Sequence, residues 1–259
     1  MMRALALLAL AGFILLPLAQ AVILSLTATL PTGTVAEGSL GLMNYRNVLA
    51  TRELRAAMVN SFVYVVLNVA LCLAIALPAA YALARFRFAG DRHFLLAILV
   101  FRVTPPVVLS LPTFILFSRF GLVNSPVGIA LVHCLFNLPV AIWILESFIR
   151  AVPREFDETA WLDGHSGSSF LFRHLIPQIT PGIGVAAFFC FIFSWVEVVF
   201  ARILTVTGGK PITMAIQAMF SFQTDIGKVM AMTCLSLVPG VAMIWFVRHH
   251  LARGFTLRA

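Results

Sequence analysis

Charge is scarce in this sequence: Asp, Glu, Lys and Arg make up 11% of its 259 residues, against 61% that are hydrophobic. Soluble domains carry about a quarter charged residues, so a water-facing globule is excluded and a membrane-embedded chain is implied. Acidic residues are the rarer sign, 10 against 18 Lys and Arg, for a net charge of +8. The basic residues are scattered between apolar runs rather than gathered on one face, which excludes a nucleic-acid partner. No Gly/Ser linker and no repeat of 20–50 residues divides the chain, so it reads as one integral domain. The four cysteines, Cys72, Cys134, Cys190 and Cys234, sit inside apolar stretches without metal-ligand spacing and read as small packing residues. No G-x-x-x-x-G-K-[ST] phosphate loop and no H-E-x-x-H zinc motif occurs, so nothing here hydrolyses ATP or holds a catalytic metal.

What is abundant is apolar length. A bilayer core needs about 20 apolar residues in a helix. Six runs qualify, at roughly 5–28, 59–83, 94–117, 125–147, 180–203 and 229–248, which predicts an all-α integral membrane fold. The start, MMRALALLALAGFILLPLAQA, has the look of a signal peptide. Its apolar run continues through VILSLTATL, so the expectation is a retained signal anchor over 1–30. A short periplasmic loop at 31–58, a permease core at 59–248 and a cytoplasmic tail at 249–259 complete the expected division. With the N-terminus inside, Arg3, Arg85, Arg87, Arg92, Arg150, Arg154, Arg173, Arg248, Arg253 and Arg258 fall on the cytoplasmic side. Seven basic residues fall outside: Arg46, Arg52, Arg55, Arg119, Arg202, Lys210 and Lys228. The excess inside places both termini in the cytoplasm.

Proline interrupts several runs: Pro17, Pro78, Pro105-Pro106, Pro112, Pro139 and Pro239. Each removes a backbone donor, which membrane proteins tolerate where neighbours or cavities satisfy the freed carbonyl. The third run, with FRVTPPVVLSLP and Arg102, reads either as a bent helix or as a mobile, cavity-lining one. Ionisable residues at membrane depth cost about 2.5–3.5 kcal/mol by insertion scales, so they mark pathways or structural pairs. Arg102, Glu197 and Glu146 are of this kind, and Asn68, His133 and Asn137 either line a polar path or hold helices together. The outer stretch 204–228 reads as a re-entrant or interfacial helix, with Met214, Gln217 and Phe220 on its stripe.

The longest polar interval is PREFDETAWLDGHSGSSFLFRHLIPQITP, residues 153–181. Pro153 suits a helix start, Glu155, Asp157 and Glu158 complement its positive end, and Phe156, Ala160 and Trp161 give it an apolar stripe. Gly164 ends that helix, and Ser166 or Ser168 caps a second one that stops at Pro177. Two short helices at a bend make a docking element.

Glu158-Thr159-Ala160, three residues, Gly164, nine residues and then His174-Leu175-Ile176-Pro177 resembles the EAA loop, E-A-A-x3-G-x9-I-x-L-P, of permease subunits in bacterial ABC importers. VPREFDE, Leu162-Asp163-Gly164, NSFVYVV at 60–66, AYALARFRFAG at 80–90, Trp195-x-Glu197 and the tail RGFTLRA are similar to the maltose-type, carbohydrate-uptake branch. The likeness runs from about Leu42 to the end, departing from the motif at Thr159, His174 and Ile176. It implies a type I ABC importer permease fold in a bacterial inner membrane. It also implies a homologous second permease, a cytoplasmic ATPase dimer that binds ATP and Mg, and a periplasmic solute-binding protein. Glu158, Thr159, Ala160, Asp163, Gly164 and Pro177, in a cytoplasmic coupling loop at 153–177, would then couple the ATPase to a pathway for a sugar, polyol or glycerol-type solute. A phosphorylated polyol is an alternative solute class. One competing enzyme reading exists: Gly164-His165-Ser166-Gly167 matches the G-x-S-G of rhomboid proteases, with Ser166 as nucleophile. That serine must lie within the membrane, and here it falls in a polar loop.

Overall fold

A computed structural model describes the backbone of residues 2–29, 35–86, 91–220 and 225–256. It describes side chains within those limits except at 2–4, 28–39, 91, 92, 95, 101 and 249–256. Helix α1 (Met2–Leu26) leads into a two-stranded antiparallel ribbon, β1 (Thr27–Thr29) and β2 (Val35–Leu40), paired Thr27 to Leu40 and Thr29 to Val35. The helices that follow are α2 (Met43–Ala50), α3 (Arg52–Arg85), α4 (Asp91–Val103), α5 (Pro106–Arg119) and α6 (Pro126–Ala151). Next come α7 (Arg154–Leu162), α8 (Gly167–Phe170), a π-helical turn over Leu171–Leu175, and α9 (Ile176–Gln178). The chain ends with α10 (Thr180–Trp195), α11 (Val199–Leu204), α12 (Ile212–Met219) and α13 (Ile226–Thr256).

The expected spans map onto these helices unevenly. Leu5–Leu26, Arg52–Arg85, Pro126–Ala151 and Ile226–Arg248 are each long and apolar enough to cross a membrane. Helix α3 starts before the expected 59, with Glu53 in its first turn and Arg85 in its last, both complementing the macrodipole. Its 34 residues rise about 51 Å, well beyond a bilayer core of about 30 Å. The third run is split in two. Pro106 drives Pro105 out of the helical region, to φ −58° and ψ 127°, so α4 ends before the pair and α5 starts at Pro106. The fifth run is bent by 84° from the preceding helical residues 167–178 at its start, then broken within its length after Trp195. At the second break the Glu197 carboxylate accepts hydrogen bonds from the Phe200 and Ala201 amides (2.9 and 3.2 Å), so α11 starts afresh with its first donors satisfied. The expected tail from 249 is helical as far as Thr256.

The chain forms two compact units. One comprises residues 1–60 and 210–241. There the buried Asn44 donates to the Ser25 and Thr27 carbonyls (3.0 and 2.7 Å), fixing α2 against the end of α1. The other comprises residues 61–209 and 242–259 and has α6 at its centre. Along α3 the small residues Cys72, Ala76, Ala80 and Ala84 recur every fourth position and are buried, so neighbouring backbones approach closely. A Cβ placed on Gly182 of α10 would come within 2.5 Å of the Phe148 ring of α6, so only glycine allows that packing. Together with Leu145, Ile149, Ala160, Phe170, Leu175 and Ile179, these residues form a core that joins the spans to the 153–178 segment.

Candidate functional sites

In the 153–178 segment helix α7 starts one residue later than Pro153, which is extended (ψ 143°) and precedes its first turn. Glu155 and Asp157 occupy that turn as expected. The inward face is Phe156, Asp157 and Ala160, whereas Trp161, expected on the stripe, is 51% exposed and Leu162 is 88% exposed. Asp157 has a larger role than a macrodipole complement. Arg85 at the end of α3 donates through Nε and Nη2 to both its oxygens (2.8 and 2.9 Å), and the Tyr81 hydroxyl adds a third bond at 3.3 Å. The Arg85 and Asp157 side chains are 7% and 5% exposed, so this is a buried, bidentate pair. Sequence reasoning did not name Arg85 or Asp157 as a pair. The signal was present in one acid and one arginine assigned to the same side of the membrane. Nearby, Arg150 pairs with Glu146 one turn back and donates to the Leu83 carbonyl (3.3 Å).

Gly164 ends α7 at φ +79°. Its amide donates to the Trp161 carbonyl and the His165 amide to that of Ala160, both at 3.0 Å, the paired bonds of a Schellman motif. Ser166 caps α8, accepting from the Ser169 amide (3.4 Å). Contrary to the expectation from the sequence, Pro177 does not stop the second helix. The wide π turn ahead of it, with the Ile176 amide bonding back to Leu171, accommodates the ring, and the helix runs on to Gln178. His174, where the resembled motif has isoleucine, lies nearly parallel to the Phe170 ring, with centroids 6.3 Å apart. Glu158, Thr159, Asp163, Gly164 and Pro177 are all exposed, while Ala160 is buried.

The polar residues within the spans converge elsewhere in the same unit. Arg102, His133, Asn137 and Glu197 line one cavity of about 290 Å³, together with Pro106, Phe136, Phe193 and Phe200. The third run is therefore both broken at its proline pair and adjacent to a cavity, through Arg102 and Pro106. The Arg102 guanidinium lies over the Phe193 ring, 4.0 Å from its centroid. His133 Nδ1 meets the Ser194 hydroxyl at 2.6 Å, and Nε2 meets Glu197 at 3.2 Å. In hydrolase triads Nε2 faces the serine and Nδ1 the carboxylate, so this chain of bonds is the reverse of a nucleophile-activating one. Among the described residues Ser166 has no imidazole partner; His165 bonds Ser169 instead, at 3.3 Å.

Asn68 is fully buried and serves the helix packing. It donates to the Ala130 carbonyl (3.1 Å) and accepts from Asn137 (2.8 Å), linking α3 to α6. Cys72 and Cys134 lie beside it as free thiols 3.4 Å apart. Met214, Gln217 and Phe220 lie on or beside α12, in the other unit from the cavity. Among the described residues no group of His, Cys, Asp and Glu is arranged to hold a metal ion.

Helices built for a membrane, a bent loop clamped to α3 and a half-polar cavity define a transport subunit. Residues 74–254 match the binding-protein-dependent transport system inner membrane component family, and the chain belongs to it. It is 27% identical over 251 residues to the trehalose transport system permease protein SugB of Mycobacterium tuberculosis, covering 95% of this chain and 92% of that one. It is 29% identical to the diacetylchitobiose uptake system permease protein DasC of Streptomyces coelicolor, over 77% of this chain and 73% of that one. A crystal structure of a bacterial ABC transporter involved in import of the acidic polysaccharide alginate has the same fold. Its TM-score is 0.80 at 20% identity, covering 96% of this chain and 94% of that one. The chain is thus a permease component of the inner membrane rather than an enzyme, and the Ser166 protease reading is not favoured.

Proposed function

We propose that this chain forms half of the translocation pathway of a bacterial importer for a sugar or a related polyol, and that the 153–178 segment couples it to a cytoplasmic ATPase. The solute class follows the trehalose and diacetylchitobiose systems of its relatives. The observation that carries the coupling role is the outer face of α7. Leu162 is 88% exposed between Glu158 and Asp163, while the inner face is fixed to α3 through Asp157. A large apolar side chain held out on a rigid, acid-flanked helix suits burial in a protein cleft. ATP-driven closure of the ATPase then moves α7, and the Arg85–Asp157 pair passes that displacement to a span.

In this reading Glu158, Thr159, Ala160, Asp163, Gly164 and Pro177 make up the coupling segment. A second, homologous permease completes the pathway, ATP and Mg reside on the ATPase dimer, and an external solute-binding protein delivers the solute. Both termini face the cytoplasm, with a membrane-anchoring first helix at 1–30, a periplasmic segment at 31–58 and a core at 59–248. The test is co-purification from mild detergent with the other subunits, combined with ATP-dependent uptake. Leu162→Asp and Glu158→Lys are expected to release the ATPase and abolish uptake while membrane insertion stays normal. Undiminished uptake in both variants would show that this helix is not the coupling element.

A further inference from the structure

The cavity carries information about the solute beyond its being a sugar. We infer that it takes a saccharide bearing a carboxylate, with Arg102 as the residue that reads the acid. This rests on the pathway role proposed above. Its cation and anion are not treated alike. The Glu197 oxygens accept from the Phe200 and Ala201 amides and meet His133, so that charge is absorbed by the protein. Arg102 forms no ion pair among the described residues, and its guanidinium rests on the face of Phe193.

A half-buried guanidinium laid on an aromatic ring is held in a fixed plane, and its fork of donors matches a carboxylate in two parallel hydrogen bonds. The remaining lining fits a pyranose ring. Phe136, Phe193 and Phe200 offer apolar surface, while the amide oxygen of Asn137, whose nitrogen donates to Asn68 and to the Cys190 carbonyl, is an acceptor for a hydroxyl. At about 290 Å³ the space lies at the lower end of small-ligand sites, the scale of one or two sugar rings rather than a long chain. Pro106 sits in the same wall, so the break between α4 and α5 opens the space that Arg102 faces.

The experiment uses the full complex of this chain, its permease partner and the ATPase in nanodiscs, without binding protein. Calorimetric titration compares galacturonate, galactose and galactose 1-phosphate. Galacturonate is expected to bind at least about tenfold more tightly than galactose. Arg102→Gln should erase that preference, and Arg102→Lys should retain part of it, keeping the charge but losing the fork. Four results overturn the assignment: no galacturonate binding to the unmodified complex, a preference for galactose 1-phosphate, an unchanged preference in Arg102→Gln, or loss of the permease partner in that variant. The last would mark Arg102 as an interface residue. Failure of the coupling role shows separately, as an ATPase missing from the unmodified preparation.

Discussion

Arg85 and Arg102 lie in the same unit and in neighbouring stretches of sequence, yet the protein uses them in opposite ways. Arg85 meets both oxygens of Asp157 and is almost wholly buried with it. Arg102 borders a cavity and rests on a phenylalanine ring. The difference lies in what each charge must do. A closed, bidentate pair has little freedom, so it fixes α7 to the end of α3. A cation facing a cavity leaves its hydrogen-bonding capacity for whatever passes. The 153–178 segment is thus clamped on one face and exposed on the other, and the cavity is a half-polar chamber whose anion is secured and whose cation faces the space.

The sharpest way to break this comparison is to open the clamp. Asp157→Ala leaves Arg85 buried without a partner, a loss of about 3–5 kcal/mol. Thermal unfolding of the purified complex and ATP-driven uptake should both fall severely. The double variant Arg85→Met with Asp157→Leu should regain more stability than uptake; equal recovery of both would reduce the pair to mere packing. Next in size is His133→Ala in the cavity wall, which removes a partner from both Ser194 and Glu197 and should cost about 1–3 kcal/mol. Its effect should appear in unfolding, with ATPase association preserved.

Gly164→Ala places a Cβ where there is space but where φ is +79°, so only backbone strain of about 1–2 kcal/mol is added. Uptake should drop moderately, and Gly164→Asn should be milder, since asparagine tolerates the left-handed region. A variant with no effect would mean that the end of α7 need not be fixed for coupling. The smallest change is expected from Asn68→Ala, because interhelical hydrogen bonds in membranes average about 0.6 kcal/mol. A large loss there would assign the Asn68–Asn137 contact a share in the cavity after all.

Much of the 153–178 segment was legible in the sequence because its determinants are local. A helix over 154–162 follows from a preceding proline, acids in the first turn and a glycine just after the end, all within a dozen positions. Ser166 as a cap is likewise a matter of three residues. The misreadings have local causes too. Pro177 reads as a stop until a π turn is known to precede it, and Trp161 reads as part of the packed stripe until the helix is turned to place Asp157 against Arg85. The third and fifth runs look continuous by hydropathy. Hydropathy sums composition and is blind to the backbone consequences of Pro105-Pro106 or to a side chain such as Glu197 that restarts a helix.

By itself the sequence determined that the chain is helical and membrane-embedded, where its apolar runs fall, and the register of the 153–178 segment, because composition and short-range spacing act on neighbours along the chain. Only the tertiary structure decided that Arg85 closes on Asp157, that Asn68 is helix packing, and that Arg102, His133, Asn137 and Glu197 surround one space. Each residue turns a helical side chain by about 100°, and a proline break or a bend resets that direction. Which polar groups meet across distant helices is therefore set by how those helices are turned and packed.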